Sequence, residues 1–275
     1  MLDMKTHCNV ELLSVGNELL LGNTVNTNAS WIAAHVTSLG GHVTRITTVA
    51  DNLDEISAAV REALRRRPTI LITTGGIGPT FDDMTLDGVA RALKLRVRPD
   101  KTAIAMVHEH YARRFPNRRV QLTKPRLKMA SIPVGGTAVR NPVGTAPGVR
   151  LVASGVELYC LPGVPVEAKA IFRDSVSRSI LSRTAGSVFD ERWVHVRGIM
   201  ESSLAPMIDQ VMKRYPDVYI KSHPRGVEAG GRPHIELHFS IHSSDKKRAE
   251  RSLLAAMKSL LDKLTDAGAK IGPTN

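Results

Sequence analysis

A strand that runs into a glycine-rich turn constrains the fold of this chain more than any other feature. The apolar run Ile70–Thr74 leads into a turn with three glycines, and a helical pattern follows the turn. Such an arrangement brings backbone N–H groups and the positive end of a helix dipole to one point, which favours anion binding. Glycine is needed where the backbone takes a positive φ angle or approaches a ligand closely. We therefore expect Gly75, Gly76, Gly78 and Thr80 to bind a phosphate group.

Two adjacent aspartates, Asp82 and Asp83, close this turn, and Thr80 and Thr85 lie on either side of them. Two carboxylates would repel a bare phosphate, so we expect a divalent cation between them and the ligand. The alternative is a structural turn in which one aspartate caps the following helix. The combination of two aspartates with two threonines favours the cation.

Strand and helix patterns alternate through the first half of the chain, which predicts parallel βαβ units in a doubly wound α/β sheet. The patterns predict strands at 10–15, 42–49, 70–74 and 157–161 and helices at 24–39, 53–66, 83–95, 102–114 and 166–183. In such a sheet, ligands bind beyond the carboxyl ends of the strands. The polar turns at 16–22, 49–52 and 75–83 each follow a strand, so they should converge at one edge.

A second, smaller domain is predicted in the last third of the chain. Residues 124–152 are rich in Pro, Gly and Thr, and apolar residues persist in them, so we expect the stretches 130–136 and 141–148 to be ordered loops rather than a linker. The later patterns predict a strand, a helix, two antiparallel strands and a final helix, which make a small α+β domain. The expected domains are residues 1–185 and 186–275.

Composition limits the class of protein. Of 275 residues, 42% are hydrophobic and two are cysteines, Cys8 and Cys160, in unrelated contexts. A chain of this length can bury a full core, and its cysteines predict neither a disulfide framework nor a zinc site. The N-terminal segment does not resemble a signal peptide, and no apolar stretch approaches the roughly 20 residues of a membrane span. We expect a soluble, cytoplasmic protein without a membrane partner.

The net charge of +12 is unevenly distributed along the chain. Nine Lys or Arg residues and no acid lie between Glu109 and Glu157. Such a stretch attracts polyanions, and a nucleotide pyrophosphate or a nucleic acid would fit. A solvated basic surface is the simpler interpretation for most of these side chains. Lys124 and Arg126 are the preferred candidates for contacting a bound phosphate, because they adjoin the predicted loops.

Five motifs occur in an order that resembles the CinA (competence/damage-inducible) family. They are GNELLLG with NTN, VADN, TTGGIGPTFDDMT, NPVGTAPG and LPGVPVE. The resemblance covers residues 9–183 and implies a three-layer fold similar to the molybdopterin-binding domains of MoaB, Mog and gephyrin. Residues 187–265 resemble the KH-like domain that follows in CinA proteins. The amidohydrolase domain of longer members is not expected.

The resemblance implies metal-dependent hydrolysis of the pyrophosphate bond in ADP-ribose or a related adenine dinucleotide such as FAD. In the Mog branch, two carboxylates act in adenylyl transfer to molybdopterin, and their positions match Asp51 and Asp83. Asp82 is the additional acid typical of CinA proteins. We expect Asp82 and Asp83 to hold Mg²⁺, Mn²⁺, Co²⁺ or Ni²⁺, with potassium as a further candidate. Asp51 or Glu18 would then act as the general base.

Two positions depart from the family pattern. Many members carry an acid where Asn17 stands, and commonly an aspartate where Asn26 stands. Losing two acids from one rim should weaken metal capture or change the preferred substrate. A non-catalytic protein that binds molybdopterin or a nucleotide is therefore the alternative to the hydrolase. Assembly into a homo-oligomer stays open.

Nucleic acid is not expected as a partner. A KH domain clamps the nucleic acid backbone with a GXXG loop. No such loop lies between two helices in residues 187–265. A small nucleotide or pterin phosphate is the expected ligand.

Further candidates lie in two later loops. A second cradle, for the adenine ribose, is expected from Asn141, Gly144, Thr145 and Gly148, although packing of the sheet edge explains them equally well. Gly163 supplies another turn at a strand end. Glu167, four residues later, suits a helix dipole or a ligand contact equally well.

Histidines are frequent in the second domain. His234, His238 and His242 share the parity of one strand and so point to one face. They lie outside the strand-end site, and a solvated strand face is a simpler interpretation than a metal centre.

Overall fold

The computed structural model describes residues 8–116, 121–184, 188–227 and 233–274. The chain divides into two compact units, which meet in sequence between residues 184 and 185. Each unit has its own sheet and its own apolar core.

The first unit is built on a mostly parallel sheet. Its strands are β1 (Asn9–Val15), β2 (His42–Val49), β3 (Ile70–Thr74), β4 (Val97–Pro99), β5 (Ser131–Pro133), β6 (Thr137–Val139), β7 (Gly148–Ala153) and β8 (Val156–Leu161). Its helices are α1 (Asn17–Leu20), α2 (Thr27–Ser38), α3 (Leu53–Arg66), α4 (Thr85–Ala92), α5 (Lys101–Arg114), α6 (Lys124–Met129), α7 (Pro165–Ile171) and α8 (Ser177–Arg183). The main sheet has the order β2-β1-β3-β8-β7-β6, in which the first four strands are parallel and β7 is antiparallel to both of its neighbours, β8 and β6. The strands β4 and β5 form a separate two-stranded antiparallel sheet. The predicted α/β class is confirmed.

Helices cover both faces of the main sheet. On one face, α3 and α4 bury Ile56 and Val89 against Leu71 of β3. On the other face, Ser179 of α8 donates a hydrogen bond to the buried carboxylate of Glu157 in β8. Since both faces are covered, all five residues of β3 are buried, as expected for a central parallel strand.

The start of α3 shows how the sequence positions a strand-end acid. The side chain of Asn52 accepts hydrogen bonds from the N–H groups of Asp54 (2.9 Å) and Glu55 (3.2 Å) and so caps the helix. Val60, two turns further on, is fully buried in the core. The cap and the buried face fix where the helix begins, and Asp51 directly precedes the cap.

Residues 141–148 were predicted as an ordered loop, and they contain no helix or strand before β7 begins at Gly148. Residues 130–136 were also predicted as an ordered loop, and this is wrong in part because β5 lies within them. The wider segment 124–152 also contains α6, β6 and most of β7. Pro125 occupies the first turn of α6, where its missing N–H costs nothing. The strands β5 and β6 are three residues long, too short to give a hydrophobic pattern.

Two predicted helices also differ from the structure. The helix predicted at 166–183 is divided by a π-helical turn, Phe172–Val176, between α7 and α8. The helix predicted at 24–39 begins only at Thr27, and the short α1 that precedes it was not predicted. A hydrophobic pattern identifies a helix more reliably than its ends or a change in its winding.

The second unit is a four-stranded antiparallel sheet with two helices. Its elements are β9 (Val188–Arg197), α9 (Glu201–Arg214), β10 (Val218–Val227), β11 (Pro233–Ser243), α10 (Lys246–Asp266) and β12 (Lys270–Thr274), with the sheet order β10-β11-β9-β12. The predicted succession of elements is confirmed, and β12 was missed because glycine and proline interrupt its pattern. The helices bury Leu204 and Leu253 in one core with Leu237 of β11. The KH-like relationship of this unit stays a prediction.

Neither cysteine is suited to nucleophilic chemistry. Both are buried and unpaired, and burial raises the pKa of the Cys8 thiol to about 11 and that of Cys160 to about 12. Both therefore stay protonated at neutral pH. In the described part of the chain, no helix has the length and apolar character needed to cross a bilayer.

Candidate functional site

A cavity of about 480 Å³ opens at the carboxyl edge of the main sheet. Its walls come from the segments that follow β1, β2, β3 and β8, together with α5 and the loop before β7. The predicted site residues that line it are Glu18, Asp51, Gly75, Gly76, Gly78, Thr80, Asp82, Asp83, Thr145 and Gly163. The three polar turns that were expected to converge do so at this cavity.

Glycines shape the turn after β3. The φ angle is +95° at Gly75 and +64° at Gly76. A Cβ atom on Gly75 would lie 2.2 Å from the carbonyl oxygen of Val15, and one on Gly76 would lie 2.3 Å from Thr85 Oγ1. The Thr85 hydroxyl fastens the turn by donating to the carbonyl oxygen of Gly75 at 2.8 Å. The backbone of this turn therefore forms the cavity wall itself, with no side chain in between.

The two aspartates of the turn direct their carboxylates toward Thr80. Thr80 Oγ1 lies 2.5 Å from an oxygen of Asp82 and 2.6 Å from an oxygen of Asp83, and the Thr80 N–H donates to Asp83 at 2.7 Å. The hydrogen bond from Thr80 lowers the pKa of Asp82, and the charge of Lys128 lowers it further. Both carboxylates therefore already accept hydrogen bonds within the turn.

These contacts revise two expectations for the turn. Thr80 was expected to offer its N–H and hydroxyl to a phosphate, but both groups already bond to aspartates. A bound phosphate would have to replace those bonds. The alternative, an aspartate that caps the helix, is not seen either, because the N-cap of α4 is Met84 and has no side-chain hydrogen bond. Both carboxylates instead accept hydrogen bonds from Thr80 within the turn.

Asp51 follows β2 and lies half-buried beside the cavity. Its Oδ2 accepts a hydrogen bond from the N–H of Asn17 at 2.8 Å. Burial raises the pKa of Asp51, and the charges of Glu18, Asp82 and Asp83 raise it further, while the bond from Asn17 opposes the shift. A carboxylate with a raised pKa at a cavity wall is a better proton acceptor than an ordinary surface aspartate.

Glu18 is held close to Asp51 by the short helix α1. The helix starts directly after β1, and the N–H of Gly16 donates to the carbonyl oxygen of Val49 at 3.1 Å, which ties the ends of β1 and β2 together. The carboxylate of Glu18 folds back over Gly16, where a Cβ atom would lie 2.5 Å from its oxygen. Because residue 16 has no side chain, the Glu18 carboxylate can lie over it at the cavity.

Asn141 and Gly144, two predicted ribose contacts, lie behind the cavity wall. Nδ2 of Asn141 donates to the carbonyl oxygen of Ala146 at 2.9 Å and to Glu167 at 2.7 Å. Its Oδ1 accepts from two backbone N–H groups of the loop, and Gly144 supplies the nearer one at 2.8 Å. The side-chain amide of Asn141 therefore uses its hydrogen bonds to hold its own loop together. This loop was expected either to contact the ribose or to pack the sheet edge. Packing accounts for Asn141 and Gly144, whereas Thr145 lines the cavity.

Lys128 contacts the glycine turn, although Lys124 and Arg126 were the preferred candidates. Nζ of Lys128 donates to the carbonyl oxygen of Thr80. The guanidinium of Arg126 instead lies 3.8 Å from the centre of the Tyr111 ring. Because no helix was predicted at residues 124–129, the helical spacing that places residues 124 and 128 on one face was not applied.

Two further cavity residues are Tyr111 and Glu167. Tyr111 projects from α5, and no motif in the sequence marked it. Glu167 lies in the first turn of α7, where its hydrogen bond from Asn141 orients the carboxylate. Asn28 also reaches this edge, where its Nδ2 donates to the carbonyl oxygen of Gly163 at 2.7 Å and fixes the turn after β8.

Comparison with known proteins identifies the family of the first unit. Residues 11–182 match the family described as probable molybdopterin binding domain. The chain belongs to this family. A protein of Sulfurisphaera tokodaii is 39% identical over 264 residues, 96% of each chain, and a protein of Pyrobaculum calidifontis is 41% identical over 251 residues, 91% of this chain and 94% of the relative.

A solved structure supports the same assignment. The protein CinA from Thermoplasma acidophilum, of unknown function, is 42% identical, with a TM-score of 0.57 over 63% of this chain and 99% of that chain. The molybdopterin-binding domain expected from the motifs is therefore confirmed. The family match ends at residue 182, so the second unit lies outside it.

The cavity of this molybdopterin-binding domain offers oxygen donors for a cation but no complete cage. In the part of the chain that the structure describes, no three Asp, Glu, His or Cys side chains form a group that could hold a metal ion. Mg²⁺ commonly binds through one or two carboxylates together with phosphate oxygens. The carboxylates of Asp82 and Asp83 therefore fit a cation that arrives with a diphosphate, better than one bound before the ligand.

Proposed function

We propose that the chain binds an adenine dinucleotide in this cavity and hydrolyses its pyrophosphate bond with the help of a divalent cation. ADP-ribose or a related compound such as FAD would be the substrate. The observation that supports this proposal is the raised pKa of Asp51, a half-buried carboxylate that shares one cavity with the glycine turn and with Glu18, Asp82 and Asp83.

The glycine turn and Lys128 would bind the diphosphate. Gly76 and Gly78 have no side chain of their own and line the cavity, so phosphate oxygens can approach their backbone. The Asp83 carboxylate lies beside Gly78, where a divalent cation would separate it from the diphosphate. Lys128 lies against the same turn and adds a positive charge. Positioning and charge stabilisation supply most of the rate gain in such transfers, so this clamp is the main contribution of the fold.

Asp51 would act as the general base. It would take a proton from water while the water oxygen attacks one phosphorus and the bond from that phosphorus to the bridging oxygen breaks. The products from ADP-ribose are AMP and ribose 5-phosphate, and the bridging oxygen leaves on one of them. A divalent cation at Asp82 and Asp83, when bound, neutralises diphosphate charge and activates water. Glu18 would keep the pKa of Asp51 raised through its negative charge.

The direct test is release of AMP from ADP-ribose or FAD by the purified chain. The reaction is run with Mg²⁺, Mn²⁺, Co²⁺ or Ni²⁺, with and without potassium, and AMP is measured by chromatography. A general base contributes about 10²- to 10⁴-fold, so Asp51→Asn should lower the rate by at least about 100-fold. Asp87→Asn, an exposed acid of α4, is the matched control and should keep the rate. Absence of AMP with every cation, from protein that unfolds cooperatively, would reject the hydrolase.

A second candidate function is binding of molybdopterin or a nucleotide without turnover. Its support is that Asp82 and Asp83 are already bonded to Thr80. Asn26 stands at one of the two positions where CinA-like proteins carry acids. Its side chain already has a hydrogen-bond partner, because its Nδ2 donates to Ser14 Oγ at 2.8 Å. This function predicts a higher melting temperature with ligand, no product, and unchanged affinity in Asp83→Asn.

A further inference from the structure

The second unit leaves one face of its sheet without a helix of its own. The helices α9 and α10 pack on the face that carries Val194, Leu237 and Ile220. The alternate residues of β9, β10 and β11 point to the opposite side of the sheet. We call this side the open face and define it by Trp193, His195, His223, His234, Glu236 and His238. No helix among the described residues of this unit packs on it.

Rings are concentrated on the open face. The chain has ten histidines, two tryptophans and an aromatic content of 4%. Five of the histidines, His242 included, and one tryptophan have the strand parity of this one face. A face that is merely solvated needs polar side chains but no such accumulation of rings, so the composition points to a binding role.

The rings form a connected platform across three strands. The strand register places Trp193 of β9 opposite His238 of β11, and Lys221 of β10 lies opposite His238 on its other side. The rings of Trp193 and His238 are stacked, with centroids 4.2 Å apart and planes at 16°. The His223 ring lies 5.4 Å from Trp193, and those of His195 and His234 lie 5.4 Å apart.

Positive charge lies beside the rings, and one acid of the face, Glu236, is paired with an arginine. Glu236 contacts Arg225 at 2.6 Å, and Glu191 contacts His238 at 2.8 Å. Lys221 is exposed, and Tyr219, one row away on the same strand, exposes 55% of its surface. The platform thus combines ring surfaces with an adjoining cation.

We propose that the open face binds single-stranded nucleic acid, with bases stacked on its rings and phosphates near Lys221. Unpaired bases stack on aromatic side chains, whereas bases in a duplex are not accessible to them. Sheet platforms bind in this way without a GXXG loop, so the missing loop does not speak against it. A metal centre is not supported, since the described residues hold no group of three ligands.

Fluorescence of Trp193 provides the test, because the only other tryptophan is Trp31 in the first unit. The full-length Trp31→Phe variant is titrated with a 12-nucleotide single-stranded oligo(U) and with a duplex of equal length. We expect the single strand to quench Trp193 fluorescence, the duplex to leave it nearly unchanged, and the affinity to fall as salt rises.

Substitutions separate this face from other basic surfaces. Tyr219→Ala and Lys221→Ala should each lower the affinity for oligo(U) about fivefold or more. Lys258→Ala removes an exposed cation from α10, on the other side of the sheet, and should change the affinity less than twofold. Melting curves of all three variants show whether the fold is kept.

Three results would overturn the proposal. The first is no quenching and no binding of oligo(U) at low salt. The second is binding that Tyr219→Ala and Lys221→Ala weaken no more than Lys258→Ala does, which would place the nucleic acid elsewhere on the chain. The third is a concentration-dependent dimer in light scattering that Tyr219→Ala dissociates, which would make a second copy the occupant of the open face.

Discussion

Two strand-end loops of the first unit are alike in sequence but differ in what they expose. The turn after β3 and the loop before β7 are both rich in Gly, Pro and Thr, and both were predicted to cradle a ligand. In the first loop, the backbone at Gly75 and Gly76 forms the cavity wall, and the aspartates bond only to their own turn. In the second loop, Asn141 is buried and uses its amide to hold the loop together.

This difference shows that glycine and threonine content does not by itself identify a ligand-binding loop. What decides is where each polar group already finds its hydrogen bonds. Asn141 has no acceptor or donor left for a ligand, whereas Thr145, four residues later, lines the cavity. The comparison predicts that substitutions in the two loops act on different properties of the protein.

The largest expected effect comes from Gly75→Ala. The φ angle of +95° disfavours an L residue, and the new Cβ would meet the backbone carbonyl of Val15 at 2.2 Å. Because a backbone atom of a central strand cannot move away cheaply, we expect a loss of about 3 kcal/mol or more in the free energy of unfolding. Denaturant unfolding measures it.

Gly135→Ala is the matched control, because φ is +89° there but no atom lies within 4 Å of the new Cβ. This variant should lose only the free energy of unfolding that a positive φ angle costs an L residue, about 1 to 2 kcal/mol. Equal losses in the two variants would mean that backbone angle alone, and not close approach, makes glycine necessary at residue 75.

A smaller loss is expected from Asn141→Ala. The substitution removes the donors to Ala146 and Glu167 and leaves the N–H of Gly144 without its acceptor. An unsatisfied buried group costs about 1 to 3 kcal/mol, so we expect a loss of about 2 kcal/mol in the free energy of unfolding. Thr145→Ala should change stability by less than about 0.5 kcal/mol but weaken ligand binding. The reverse result, unchanged stability with weaker binding in Asn141→Ala, would return Asn141 to the ligand site.

The sequence predicted those parts of the fold whose signals are local and repeated. The strand β3 and the helix α3 were predicted with their observed bounds, since β3 is an apolar run that ends in two threonines and α3 has a regular apolar spacing. The short strands β5 and β6 show no periodic hydrophobic pattern and were not predicted. At the site, strand ends located the acids correctly at one cavity. Tertiary packing decides whether Asn141 turns inward and whether Lys128 or Arg126 reaches the turn, and no local pattern encodes that.

The smallest expected effect is the pH-dependent gain in stability from Asp51→Asn. The pKa of Asp51 is raised in the folded chain, by burial first and by Glu18, Asp82 and Asp83 in addition. The ionised carboxylate therefore costs folding free energy at neutral pH, and this cost disappears as the pH falls below about 3.9, where Asp51 is neutral in both states. The asparagine variant should melt at a higher temperature than the natural chain at pH 7 and at nearly the same temperature near pH 3.

Asp87→Asn provides the comparison for that gain. Asp87 is an exposed acid in the first turn of α4, where a negative charge is favourable, so its replacement should lower stability by about 0.5 kcal/mol at pH 7. If Asp51→Asn also lowers the melting temperature at pH 7, the bond from the N–H of Asn17 outweighs burial and charge repulsion. Asp51 would then serve to hold α1 in place, and it would no longer be the candidate general base of the proposed hydrolysis.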